Sequence, residues 1–306
     1  MTPYELVRER YSLPFPLYSF QIDAVNELAP LDKSALFLSP GLGKTPTATH
    51  CALYKLDHGT DVVMLVLPPI LIPMWVKWLA KIKHVSGKSL RVLAYRGSPK
   101  ERREMKMQAD FILMSLDIFK RDLERITSDL SHKRVHCVVD EGHSLKNISS
   151  QNYKTMRDFT MDQTLQILTG TPLTSPLAAY SYAKLIAPSL YRNYSMFLQL
   201  FVKEYDFFKN PVEFQNLDLL SSNLRVNAVL KTKEEVLLDL PECIIANLEY
   251  DLDKRHMALY RKLVEEQLLK LPDGEKVDAT TASALRHALS QVIMQWSWFG
   301  QDDSLK

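Results

Sequence analysis

The chain has 306 residues, 46% apolar and 24% charged, the composition of a globular protein with a core to bury and room for one large domain or two modest ones. A formal charge of +2 is too small for a general polyanion binder, so any nucleic-acid contact has to come from a local groove. The longest apolar stretch, residues 62–76, is too short to span a bilayer as a helix and contains three prolines.

Taken in chain order, short β-rich apolar runs at 35–38, 62–67, 91–95, 111–114, 135–139 and 165–168 alternate with helical patterns. Because these runs lack polar alternation, they predict strands buried on both faces, hence a mostly parallel sheet wrapped by helices. In such sheets the ligand-binding loops follow the C-terminal ends of the strands. Residues 62–76 read as a strand, a Pro-Pro turn and a helix with Pro73 in its first turn. From about 189 to 240 the pattern turns helical and aromatic, with 194–208 at helical spacing. A strand-like run at 244–252 follows, then an amphipathic helix from about 254 to 271, a break at "LPDGEK" and a further helix from about 281. Cys51, Cys137 and Cys243 are far apart and form no metal-ligand spacing, which suits a reducing interior. No signal peptide opens the chain.

The strand at 35–38 runs directly into Ser39-Pro40-Gly41-Leu42-Gly43-Lys44-Thr45, and a helical pattern follows. This is the setting of a phosphate loop. Glycines let backbone N–H groups turn inward, the helix N-terminus favours anions, the Lys44 amine reaches the β- and γ-phosphates, and the Thr45 hydroxyl reaches Mg²⁺. Leu38 stands where the general pattern has its first glycine. Pro46 follows Thr45, at a position whose backbone N–H often meets the α-phosphate, and proline cannot donate.

The second signal is "VHCVVDEGH", residues 135–143. A strand-end Asp140 suits the Mg²⁺ water shell and Glu141 suits an attacking water, although a polar strand end capping a helix explains this stretch alone equally well. The third is "LTGTPLTSPL" at 168–177, a stiff polar turn after a strand. The basic stretch 81–106, interleaved with Glu101 and Glu104, reads first as a solvated helix face and second as a phosphate-backbone contact. Trp75 reads as core.

Together these stretches resemble the ATP-binding lobe of superfamily II helicases, specifically the Swi/Snf-like family of double-stranded DNA translocases, along nearly the whole chain. "LYSFQIDAVNEL" is similar to the adenine-recognition segment and would put Gln21 on the adenine edge. "SPGLGKT" resembles motif I, which in that family also lacks the first glycine, and makes Gly41, Leu42, Gly43, Lys44 and Thr45 the nucleotide loop. "LVLPPILIPMW" resembles motif Ia and "ILMSLDIF" sits at the Ib position, so Pro68 and Ser115 are the candidate nucleic-acid contacts. "VVDEGHSLKN" resembles the DExH box and "LTGTPL" motif III, with His143, Gly170, Thr171 and Pro172 coupling the nucleotide site to the rest. Segments 230–241 and 285–291 are similar to the bridge between the lobes and the helix before the second lobe. Departures are Gly142 for the usual alanine, "MSL" at motif Ib, Leu230-Lys231 for paired arginines, and no recognisable second lobe before Lys306.

The resemblance implies an α/β fold: a RecA-like P-loop NTPase lobe over 1–240, with a central mostly parallel sheet and a helical protrusion from about 189, then a bridge over 241–306. It implies Mg²⁺-dependent ATP hydrolysis, with Lys44, Asp140 and Glu141 catalytic and Thr45 and Asp140 on the metal, coupled to movement on double-stranded DNA. The transition-state arginine would come from a second RecA-like lobe, in cis or in trans, so this chain alone would bind ATP and turn it over very slowly. A cytoplasmic, DNA-associated location goes with that reading. A strand-separating or annealing helicase of the same superfamily, or a lobe that docks DNA or a partner without turnover, are the alternatives. Glu141 argues against the last, since a dead site loses that residue most readily.

Overall fold

The computed structural model describes residues 1–171, 175–236, 251–252, 254–266, 268–270, 276–278 and 282–294. They belong to two compact units, Met1–Leu240 and Pro241–Lys306.

The first unit opens with helix α1 (Pro3–Arg10), the short strand β1 (Tyr11–Ser12), α2 (Ser19–Leu28) and β2 (Lys33–Leu38). Next come α3 (Lys44–Asp57), β3 (Val62–Val66), α4 (Ile72–Leu79), β4 (Lys83–His84) and β5 (Val92–Ala94). The chain continues through α5 (Pro99–Glu104), β6 (Phe111–Met114), α6 (Leu116–Arg121), α7 (Leu123–Asp129) and β7 (Val135–Val139). Then follow α8 (Gln151–Phe159), β8 (Thr164–Thr169), α9 (Pro176–Ile186), α10 (Tyr194–Phe201), β9 (Val202–Tyr205) and β10 (Pro211–Phe214). The last elements are α11 (Leu217–Leu224), β11 (Ala228–Lys231) and the single turn α12 (Lys233–Val236).

Seven strands form one sheet in the order β11-β2-β8-β7-β3-β6-β5, and every neighbouring pair is parallel. Successive side chains of a strand leave on opposite faces, so a sheet covered on both sides needs apolar residues at nearly every position. In β2, Ala35 and Phe37 pack with Tyr182 of α9 and the β7–β8 side chains on one face. Leu36 and Leu38 pack with Val25 of α2, Ala48 and Cys51 of α3 and Trp75 of α4 on the other. The fold is the RecA-like α/β arrangement. Among the described residues no helix is long and apolar enough to cross a membrane.

Two expectations need correction. The aromatic stretch 194–208 is not one helix. Asn193 caps α10 through its side chain, and the helix ends at Phe201, after which β9 and β10 form an antiparallel hairpin. The stripe that buries Phe197 and Phe201 does not continue: Phe207 is 94% exposed at the hairpin tip, where the Asp206 carboxylate accepts the Asn210 backbone N–H at 2.7 Å and closes the turn. The segment 189–240 also supplies β11, which pairs with β2 at the edge of the sheet. The protrusion is therefore mixed rather than helical. The basic stretch 81–106 is partly internal as well, since Arg102 is buried and pairs with Asp122 at 2.7 Å.

In the second unit, α13 (Lys254–Glu266) ends earlier than the sequence suggests, giving way to the hairpin β12 (Leu268–Lys270) and β13 (Lys276–Asp278) before α14 (Ala282–Met294). Leu263, Ala288 and Val292 form its buried core. Apart from Asp251 and Leu252, the strand-like run 244–252 lies outside the described residues.

Candidate nucleotide site

Strands β2, β8 and β7 are consecutive neighbours and parallel, so the loops that follow them open on one rim. The phosphate-loop candidate, the motif III turn and the acid pair all lie there.

After β2 the chain turns through Gly41 (φ 90°) and Gly43 (φ 76°), both in backbone conformations that strain any residue with a Cβ. Lys44 opens α3, and its amine donates to the Leu38 carbonyl at 3.1 Å. Thr45 lies in the first turn of the same helix, partly buried. Gln21, buried on α2, braces the loop from the side: its amide donates to the Leu42 carbonyl at 2.9 Å, and its oxygen accepts the Tyr18 backbone N–H at 2.9 Å. A Cβ on Gly43 would lie 2.3 Å from the Gln21 amide nitrogen, so a side chain there would also push that amide off the loop.

Beyond β7, Asp140 is only 7% exposed. One carboxylate oxygen accepts the indole N–H of Trp75 at 3.0 Å, and the other accepts the Glu141 backbone N–H at 3.0 Å. Burial pushes the Asp140 carboxyl above its ordinary range, while the two donors and the nearby Lys44 charge pull it back. Glu141 sits in the left-handed region at φ 53°, a costly conformation for a non-glycine residue and one found disproportionately at functional sites. That turn aims its partly exposed carboxylate outward, 3.4 Å from His143 Nδ1. Gly142 has a local cause: an added Cβ would stand 2.3 Å from Ile167 Cγ2 of β8.

Beyond β8, Thr169 accepts the Thr171 backbone N–H at 3.2 Å and tightens the turn. A Cβ on Gly170 would be 3.1 Å from Pro40 Cδ and 3.2 Å from Lys44 Nζ, so this backbone lies directly against the lysine. Pro172 lies outside the described residues.

Pro68 and Ser115, after β3 and β6, line a pocket of about 230 Å³ together with Asp140, Glu141 and His143. Ser115 is buried, and its hydroxyl accepts the Ile118 backbone N–H at 3.3 Å as the cap of α6, so the side chain already has an occupation. Trp75 is core, as its apolar setting suggests, but it is also the hydrogen-bond donor that holds Asp140. That role spans 65 residues, and no local pattern signals it.

Residues 20–295 match the family model described as the SNF2-related domain. The chain belongs to this family. Its 306 residues carry the N-terminal RecA-like lobe of a Swi/Snf-like superfamily II helicase. The SNF2-related chain is 27% identical over 281 residues to the TATA-binding protein-associated factor MOT1 of Saccharomyces cerevisiae, covering 82% of this chain and 15% of that protein. It is 26% identical over 261 residues to an uncharacterized ATP-dependent helicase of Mycoplasma genitalium, covering 82% of this chain and 24% of that one. It thus spans about a quarter or less of the length of these relatives. The fold matches the Sulfolobus solfataricus SWI2/SNF2 ATPase core in complex with dsDNA with a TM-score of 0.59 at 20% identity, covering 92% of this chain and 59% of that one.

Proposed function

We propose that this lobe binds ATP with Mg²⁺ at the rim of β2, β8 and β7 and forms half of an ATP-dependent motor that moves on double-stranded DNA. The observation that carries the reading is the packing of the Gly170 backbone against the Lys44 amine, with Asp140 close enough to feel that charge. The lysine, resting on the Leu38 carbonyl, is free to exchange that neutral partner for the β- and γ-phosphates.

Asp140 and the Thr45 hydroxyl are hard oxygen donors, the pair that suits a Mg²⁺ keeping its other positions for water and phosphate oxygens. When bound, Mg²⁺ would neutralise charge developing on the phosphates. Glu141 would orient the attacking water and take its proton. Gln21 keeps one amide hydrogen for the adenine edge while the other holds the loop. His143 and the Gly170–Thr171 turn touch the acid pair and the lysine, respectively, and would transmit the state of the site. Pro68 and the backbone around Ser115 would face the duplex.

Titration of the 306-residue chain with Mg-ATP tests this. Wild type binds, Lys44→Ala weakens binding at least about 100-fold, roughly 2.7 kcal/mol, and Glu141→Gln binds as wild type. Turnover is very slow until a second lobe with its arginine is supplied, and Glu141→Gln then abolishes the gain. A wild-type chain without affinity for ATP overturns the proposal. Robust DNA-stimulated turnover by these residues alone overturns the need for the second lobe.

A further inference from the structure

The phosphate loop has a second lysine beside it, from the opposite end of the lobe. Strand β11 pairs with β2 in register Lys231↔Leu38, and the Lys231 carbonyl accepts the Ser39 backbone N–H at 3.1 Å. This bond ties the end of β11 to the first residue of the loop. Two residues on, α12 begins, with the Thr232 backbone N–H held by Glu235 at 3.0 Å. The Lys233 side chain then reaches back over the loop: a Cβ on Gly41 would be 3.7 Å from Lys233 Cε and 4.0 Å from its Nζ. Lys233 is exposed and, among the described residues, makes no ion pair.

Its place in the sheet order decides which part of a nucleotide it meets. Gly170 and Asp140 follow β8 and β7, on one side of β2, while Lys233 follows β11, on the other. If the metal and the terminal phosphates lie toward Asp140, the Lys233 side is left for the α-phosphate end. That end has an identified deficit. Pro46 has no backbone N–H, so the first turn of α3 lacks a donor that such a helix start normally offers.

We propose that Lys233 is a phosphate-binding residue of this site, its ammonium group holding the α-phosphate end of the nucleotide in place of the amide that Pro46 lacks. The inference rests on the ATP-binding reading above. It gives the nucleotide a direct contact with the segment that leads out of the lobe.

Calorimetric titration with Mg-ADP tests it on the full chain. Lys233→Ala and Lys233→Gln each raise Kd about tenfold, as loss of one charge-assisted hydrogen bond does, while Lys233→Arg stays within about threefold. In a Pro46→Ala background, where the amide is restored, Lys233→Ala costs less than about threefold. Undiminished ADP affinity in both Lys233→Ala and Lys233→Gln, alongside loss in Lys44→Ala, overturns this inference alone. An equal cost of Lys233→Ala in the wild-type and Pro46→Ala backgrounds overturns the compensation. A wild-type chain that binds no ADP overturns the nucleotide reading and this inference with it.

Discussion

The two ends of the same parallel sheet handle buried polar groups in opposite ways. At the C-terminal rim each group keeps something in reserve. The Lys44 amine rests on a neutral carbonyl, Glu141 is turned outward by a strained backbone, and two glycines at positive φ open the loop. Toward the strand N-termini, under α3, polar groups are sealed in. His136 of β7 shares 2.8 Å with Thr164 through Nδ1, and Gln166 donates to Ser34 at 3.5 Å, yet His136 Nε2 and Gln166 Oε1 have no partner. His50, on α3 itself, bonds the Pro46 carbonyl at 2.8 Å and likewise leaves Nε2 unpartnered. Polarity at the rim is left able to change partners, whereas polarity at the base makes the fold depend on pH. Both kinds hang on one helix, since α3 begins with Lys44 and its Lys55 charge is felt by His136.

The largest test of that contrast is acid. Burial lowers the His136 pKa to about 3 and that of His50 to about 4. Unfolded histidine protonates near pH 6.5, so below that pH the unfolded chain binds protons that the folded chain refuses, and stability falls as pH drops. Between pH 6.5 and 5 each histidine should cost about 1.6 kcal/mol, about 3 kcal/mol together, read by urea unfolding at the two pH values. His50→Asn should halve the slope, and a flat profile would break the comparison. Next in size is Gly142→Ala, whose new methyl has no room against Ile167. It should destabilise by about 2 kcal/mol, and by much less in an Ile167→Ala background, as thermal melts of the four proteins would reveal. Smallest is Trp75→Phe, which keeps most of the packing and removes one donor from Asp140. Mg-ATP affinity should drop about tenfold, roughly 1.5 kcal/mol, while the melting temperature moves by only a few degrees. An unchanged affinity would mean that the Asp140 carboxylate does not need the indole.

The rim was easier to read in the sequence than the supports beneath it. The runs ending at Leu38, Val139 and Leu168 are mostly apolar segments without polar alternation, each followed by a polar loop, and a parallel sheet brings such loops together whatever the rest of the chain does. Strand β11 was hidden because an edge strand is buried on fewer sides: Leu230 and Lys231 are only partly covered, and the segment falls within the stretch 189–240 that reads as helical. The hairpin 202–214 was hidden by aromatic residues whose spacing continues that of α10, although only Phe197 and Phe201 face the core there. Trp75 on Asp140, Ile167 against Gly142 and Lys233 over Gly41 are long-range contacts that no window of neighbouring residues contains.

Strand β11 also sets a timetable for synthesis. Asn227, which donates to the Lys33 carbonyl at 3.0 Å, lies 194 positions after it. The strand bearing the lysine loop is therefore made long before its partner at the edge, and its outer edge stays bare until almost the whole lobe has emerged. At about 5–20 residues per second that interval is on the order of 10–40 s. Throughout it a flat apolar edge is open to any other strand. A nascent chain stalled near position 225 would carry every residue of the lysine loop and acid pair with that flank unsealed, which makes the last strand the step that turns a set of motifs into a pocket.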